Sequence, residues 1–209
     1  MIGLEKFGIT LESYLDNETD IICVFGCLLT KEGQKIKREM LKWIVPQYDC
    51  IVVNQQPPGK LYEFPGLKMA KTASIRFNKS VLYLHTKGAA HSTNIYNQEK
   101  CRMVWKNEFI DNYDSYINEL NHTKGPEVLC PFSGVGANYK PTILNGFIAN
   151  VDAWKLADIP EPIERYRYEH IFANTDVKMY ARIYNDVNEL NMSDPGFRRM
   201  VTYINTFGG

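Results

Sequence analysis

The sequence lacks the features that would place it in a membrane or on a polyanion. Its longest apolar stretch, 21–29, contains a glycine and falls well short of the roughly 18 residues that span a bilayer. Lysine plus arginine number 24, as do aspartate plus glutamate, so the formal net charge is zero. A protein that holds nucleic acid mainly by bulk charge is visibly basic. We therefore expect no membrane span and no bulk nucleic-acid binding, although a local basic pocket for a small phosphate stays open.

Cysteine is also sparse, with five residues at scattered positions and no CxxC motif. This pattern fits neither a disulfide framework nor a structural zinc site, and the four histidines show no tight ligand spacing. The first twenty residues carry five acidic side chains, which is wrong for a secretory signal peptide. These features predict a cytoplasmic, soluble protein with no bound metal.

What the sequence does contain is an alternation of buried strands and amphipathic helices. Three apolar runs have the length and composition of strands buried on both faces: Ile21–Phe25, Cys50–Val53 and Ser80–Leu84. Segments with helical spacing follow them at about 31–44, 66–77 and 96–120. The pattern predicts an α/β fold with a Rossmann-like, mostly parallel sheet flanked by helices. The length of 209 residues predicts a single domain over 1–209.

The second half of the chain is less regular. We expect short strands near 127–130, 142–144 and 147–150, a helix over 161–173, and a strand or a helix over 179–184. A closing helix is predicted over 194–206, with Asp194 as its N-cap and Pro195 in its first turn.

Ligands of open α/β sheets bind beyond the carboxyl ends of the strands, so three strand ends are candidate sites. Phe25 with Gly26, and Asn54, end the first two strands and are candidates to receive the base and ribose of a nucleotide. An ordinary strand exit is the competing interpretation. His85–Lys87 ends the third strand, where a bound anion would be a natural partner for a histidine and a lysine; the alternative is that both simply reach solvent.

The segment Val81–Gly88, which reads VLYLHTKG, resembles a group of GT-A-type glycosyltransferase-like proteins that carry a YLHTKG element. Two later segments resemble the same group, GANY at 136–139 and LNGFIAN at 144–150, and Trp154 follows them. The likeness covers about residues 20–175. It implies a GT-A-like fold, with a nucleotide-binding half at about 20–120 and an acceptor and sugar half at about 126–209.

The resemblance implies an enzyme that moves a sugar from a nucleoside-diphosphate sugar to a hydroxyl of a glycan, protein, lipid or small molecule. Asn145 and Gly146 would then shape the sugar site, and Thr86 would bind a phosphate or a sugar hydroxyl. Glu169 would be the general base if the reaction inverts the sugar. Judged from the residues alone, the Asn145–Gly146 pair equally fits a plain turn, and Glu169 fits a solvated helix carboxylate.

The sequence departs from this family in one respect, because it contains no Asp-x-Asp. Most GT-A enzymes use that motif to hold a divalent metal against the donor diphosphate. Here Lys87 and His85, helped by Arg165 or Arg167, would have to stabilise the charge that develops on the leaving group. We therefore expect a metal-independent mechanism with no cofactor, although a divalent metal stays open as an option that no Asp-x-Asp supports.

Several alternatives remain open at this stage. The chain fits a degenerate GT-A-like domain that binds a nucleotide, a glycan or a protein without turnover. It also fits a phosphoryl-transfer enzyme that uses His85, although no P-loop motif is present. Trp105 is expected in the core, whereas Trp154 is a candidate stacking surface. A second copy of the chain would be one way to complete so short an acceptor half, so a homo-oligomer is compatible with the length.

Overall fold

A computed structural model describes most of the chain. The described residues are 5–6, 9–10, 21–48, 51–57, 63–87, 97–121, 124–134, 141–161, 165–173, 175–188 and 191–207. Cys50, Gly88 and the GANY segment lie outside them, as do the side chains of Arg165 and Arg167.

Strands and helices alternate along the described part of the chain. The strands are β1 (Glu5–Lys6), β2 (Ile9–Thr10), β3 (Ile21–Leu28), β4 (Ile51–Gln56), β5 (Ser80–His85), β6 (Glu127–Gly134), β7 (Phe147–Ala149) and β8 (Lys178–Val187). The helices are α1 (Lys31–Gln47), α2 (Phe64–Phe77), α3 (Gln98–Lys106), α4 (Tyr113–Asn121), α5 (Val151–Leu156) and α6 (Pro195–Phe207). A π-helical turn spans Asn107–Asp111, and 3₁₀ turns span Ile143–Asn145 and Arg165–His170.

Strands β3 to β8 form one mixed sheet in the order β4-β3-β5-β7-β6-β8. Strand β7 is antiparallel to both of its neighbours, and the other pairs are parallel. This confirms the predicted α/β class with a mostly parallel sheet flanked by helices, which is compatible with a Rossmann-like fold. Because β4 lies on one side of β3 and β5 on the other, the order of the strands reverses between β3 and β5. Open α/β sheets bind their ligands at such a switch point.

Both faces of the central strands are buried, as the continuous apolar runs at 21–25 and 80–84 predict. On one face, Phe25 packs in a cluster with Ile36 of α1 and with residues of α3 and α6. On the other, Val24 packs in a cluster with Leu67 of α2 and with residues of α5. None of the described helices combines the length and the apolar character that a membrane span requires.

The predicted continuous helix over 96–120 is wrong. The described chain forms α3, then the π-helical turn, then α4. Tertiary contacts account for the interruption: the Tyr48 hydroxyl donates to the Phe109 carbonyl at 2.6 Å, and the Tyr116 hydroxyl lies 3.1 Å from the Glu108 carboxylate. A hydroxyl from another element that bonds to a carbonyl of the turn, as that of Tyr48 does, favours a widened turn where a regular helix was expected.

Two predictions for the second half of the chain are also wrong. The expected strand at 142–144 is reduced to an isolated bridge between Thr142 and Ser133, and a 3₁₀ turn over Ile143–Asn145 follows, in which Leu144 and Asn145 have left-handed backbones with φ of 70° and 53°. The expected helix over 161–173 is reduced, within the described residues, to the 3₁₀ turn Arg165–His170. Prolines at 160 and 162 disfavour helical backbone in the residues before them.

Two other predictions in this half are confirmed. The segment 179–184, left open as strand or helix, is part of β8. The closing helix is α6, and the Gly196 N–H donates to Asp194 Oδ1 at 2.8 Å, which is the predicted cap.

Candidate functional site

Three of the predicted site residues lie side by side across neighbouring strands. Gly26 of β3 is in register with Asn54 of β4 on one side and with His85 of β5 on the other. We call these three residues the strand-end row. Since neighbouring strands are about 4.8 Å apart, a small ligand can reach the whole row. The row lies near the carboxyl ends of the parallel strands, at the switch point of the sheet.

Two glycines leave room for the hydroxyl of Tyr83 beside this row. A Cβ atom on Gly26 would lie 3.2 Å from that hydroxyl, and one on Gly66 of α2 would lie 2.9 Å from it. Burial, and next the Glu63 carboxylate, raise the pKa of the Tyr83 hydroxyl well above its usual value, so it remains a protonated donor. Among the described residues, neither this hydroxyl nor the buried Asn54 Oδ1 has a hydrogen-bond partner.

Glu63 and Trp105 fix the surroundings of His85. His85 Nδ1 lies 3.4 Å from Glu63 Oε1, and the two side chains are 12% and 13% exposed. The His85 ring lies 5.3 Å from the Trp105 ring, centroid to centroid. A carboxylate at this distance orients an imidazole and stabilises its protonated form, which equips the pair for proton transfer. Sequence reasoning missed Glu63 because it lies just before α2 and ends no strand.

The residues after His85 have two different surroundings. The Thr86 N–H donates to the Gly26 carbonyl at 2.9 Å, and its hydroxyl accepts from the Leu28 N–H at 3.2 Å. Thr86 therefore ties the end of β5 to β3. Lys87 is buried, and its backbone carbonyl accepts a 2.6 Å hydrogen bond from Nη1 of Arg102, which is buried as well. Two basic residues thus lie together at the end of β5.

Asn145 and Gly146 reach the same edge of the sheet because β7 runs antiparallel to β5. Phe147, the first residue of β7, is in register with Tyr83, two residues before His85. A Cβ atom on Gly146 would lie only 2.2 Å from Trp105 Nε1. The Gly146 backbone therefore packs directly against the indole that also contacts His85.

Glu169 holds the turn that carries Asn145. Its Oε1 accepts a hydrogen bond from the Leu144 N–H at 3.0 Å, and its backbone carbonyl accepts from the Thr142 N–H at 2.8 Å. The left-handed backbones of Leu144 and Asn145 each cost about 1 kcal/mol or more outside glycine. Glu169 is thus placed to compensate for part of this strain.

This contact separates a positioning role of Glu169 from a role as a base. Glu169→Gln keeps a carbonyl oxygen for the Leu144 N–H, so we expect it to lower the free energy of unfolding by less than about 1 kcal/mol. Glu169→Leu leaves that N–H without its acceptor, and we expect a loss of about 1–3 kcal/mol. Urea unfolding of both variants measures the difference. Equal losses would show that the hydrogen bond does not stabilise the turn.

Two aromatic residues are placed away from the edge. Phe25 is fully buried in the core on the α1 face, so its ring lies in the core and not beside the strand-end row. The expectation that Trp154 offers a stacking surface is wrong, because its side chain is fully buried between the rings of Phe147 and Phe172. Trp105 is a core residue as predicted, at 1% exposure.

The described residues contain no group of three or more histidine, cysteine, aspartate or glutamate side chains that could hold a metal ion.

A scan against protein-family models finds no match, and searches of curated proteins and of solved structures find no significant match. The functional interpretation therefore depends on the geometry of the strand-end row and its neighbours.

Proposed function

We propose that the chain is a glycosyltransferase with a GT-A-like fold that uses a nucleoside-diphosphate sugar and works without a divalent metal. The strand-end row carries this proposal, because Asn54, Gly26 and His85 are in register at the switch point. Nucleotides bind at this place in open α/β sheets. The mixed sheet is compatible with the proposed fold.

The nucleoside part of the donor would bind at the β4 and β3 side of the row. The Asn54 amide offers hydrogen bonds to a base or a ribose, and Gly26 beside it adds only backbone to the row. The diphosphate would then extend along the end of β5 toward Lys87. A fixed cation there stabilises the negative charge that develops as the leaving group departs.

The Glu63–His85 pair would move the proton. As the acceptor oxygen bonds to the anomeric carbon, the bond from that carbon to the diphosphate oxygen breaks, and the acceptor proton passes to the His85 imidazole. Glu63 stabilises the resulting imidazolium, and the electron pair of the broken bond leaves with the nucleoside diphosphate. Glu169 acts on this site through the Leu144–Gly146 turn and is a positioning residue.

Binding of a nucleoside diphosphate in the presence of a chelator tests this proposal. We expect one of UDP, GDP, CDP and TDP to raise the melting temperature by about 5–10 °C at a hundredfold excess over its Kd, since that excess stabilises the folded state by about 2.7 kcal/mol. Thermal unfolding in EDTA, with the free nucleosides as controls, measures the shift. The proposal is wrong if none of the four has an effect. A shift without sugar transfer would instead indicate a binding domain without turnover.

A further inference from the structure

A buried lysine and a buried arginine from separate elements are joined by a hydrogen bond beyond the strand-end row. Lys87 follows β5 and is 8% exposed, and Arg102 of α3 is 7% exposed. The 2.6 Å hydrogen bond from Arg102 Nη1 to the Lys87 carbonyl fixes the guanidinium against the backbone of Lys87. One N–H of Arg102 is engaged there, and a guanidinium has five.

No carboxylate of the described residues pairs with either of these cations. Glu39, Glu99 and Glu32 act on Arg102 from a longer range, and none of them forms a salt bridge with it in the described part of the chain. Burial lowers the pKa of Arg102. Buried charges are normally paired, since removing them from water costs free energy. An anionic ligand would provide the missing partner.

We propose that Lys87 and Arg102 form an anion site that binds a phosphate or diphosphate group. Arginine presents a planar fork that matches two phosphate oxygens, and lysine adds a compact point charge. This inference rests on the proposed function and deepens it, since the donor diphosphate would occupy the site. Arg102 and Lys87 would together neutralise the charge that a divalent metal neutralises in most GT-A enzymes. Sequence reasoning missed Arg102 because it lies within a helix, and in the sequence it is 15 positions away from Lys87.

Titration calorimetry of the full chain with inorganic pyrophosphate in EDTA tests the site without any sugar or turnover. We expect pyrophosphate to bind, and Lys87→Met and Arg102→Gln each to weaken binding about tenfold or more, as expected for the loss of a charge-assisted hydrogen bond. Lys35→Met and Arg38→Gln remove exposed cations of α1 and serve as matched controls. We expect both controls to bind pyrophosphate as the unmodified chain does.

A second arginine variant guards against misfolding. Arg102→Gln leaves the Lys87 carbonyl without its present donor, whereas Arg102→Lys keeps the charge and loses only the fork. We expect Arg102→Lys to retain the circular dichroism of the unmodified chain and to bind pyrophosphate more weakly than it, though more tightly than Arg102→Gln. The site is refuted if the unmodified chain does not bind millimolar pyrophosphate. It is equally refuted if Lys87→Met and Arg102→Lys bind it unchanged.

Parallel titrations with nucleoside diphosphates and with inorganic phosphate separate this site from the proposed function. If pyrophosphate or phosphate binds through Lys87 and Arg102 and no nucleoside diphosphate binds more tightly, the anion site stands and the glycosyltransferase proposal fails. If nucleoside diphosphates bind with an affinity that the three variants of Lys87 and Arg102 leave unchanged, the proposed function stands and the anion site fails. If nucleoside diphosphates bind more tightly than pyrophosphate, and if the variants of Lys87 and Arg102 weaken that binding, the anion site and the proposed function both stand.

Discussion

Replacing Gly146 with alanine is expected to lower the free energy of unfolding by about 2–3 kcal/mol. The added methyl would lie 2.2 Å from Nε1 and 2.4 Å from Cε2 of Trp105, which is closer than any real contact. Trp105 is a rigid bicyclic side chain at 1% exposure, so it has no flexible end that could move aside. The indole or the turn must shift, and His85 with it. Urea unfolding followed by tryptophan fluorescence measures the loss.

Two comparisons show whether the clash with Trp105 causes this loss. Trp105→Ala removes the indole that Gly146 contacts, so the double variant is expected to lose less stability than the sum of the two single variants. Gly26→Ala is a milder control, because its methyl would lie 3.2 Å from the Tyr83 hydroxyl. A change within about 0.5 kcal/mol in Gly146→Ala, the range of ordinary surface substitutions, would contradict the steric argument.

The strands of the sheet were predictable because the three predicted runs are continuously apolar, and the first of them is buried on both faces. Val24 and Phe25 point to opposite layers and are both fully buried, so the sequence shows a continuous apolar run. The ends of the strands were less predictable. Strand β4 continues to Gln56 because pairing with β3 extends through polar residues that carry no apolar signal.

Tertiary contacts explain where the predictions of helices failed. The apolar spacing over 96–120 is real, and Trp105 and Phe109 both face the core. The break at Asn107–Asp111 includes a contact from elsewhere in the fold, the hydroxyl of Tyr48 at the end of α1. No local pattern in the sequence encodes a contact that is made across 61 positions.

The strand-end row was predictable in part because parallel strands bring their ends to one edge. That rule alone predicts that the residues at these strand ends lie close together. The structure places Gly26, Asn54 and His85 in register. Glu63 and Arg102 come from a turn and a helix, and only three-dimensional packing brings them to the end of β5. The strand-end rule predicts His85 and Lys87 as site residues. It does not predict Glu63 and Arg102, although these two lie next to them.

The largest effect on activity is expected for His85→Asn, which we predict to lower kcat of sugar transfer by about 10²–10⁴-fold. Asparagine cannot take up the acceptor proton, while its amide still fits near Glu63. We expect the melting-temperature shift caused by the nucleoside diphosphate to change little, because the proton acceptor is not needed for donor binding. The donor is a sugar ester of the nucleoside diphosphate that raises the melting temperature, and initial rates with it give kcat and KM. Lys68→Met, at an exposed position on α2, is the control.

Glu63→Gln tests whether the carboxylate acts through the imidazole. Its Oε1 lies 3.4 Å from His85 Nδ1, so a neutral amide there would orient the ring without stabilising its protonated form. We expect a smaller loss of kcat than in His85→Asn, with KM for the donor little changed. The double variant should be no slower than His85→Asn, because residues that act as a unit give non-additive losses. Additive losses would place Glu63 in a separate role, and an unaltered kcat in both single variants would remove the pair from the reaction.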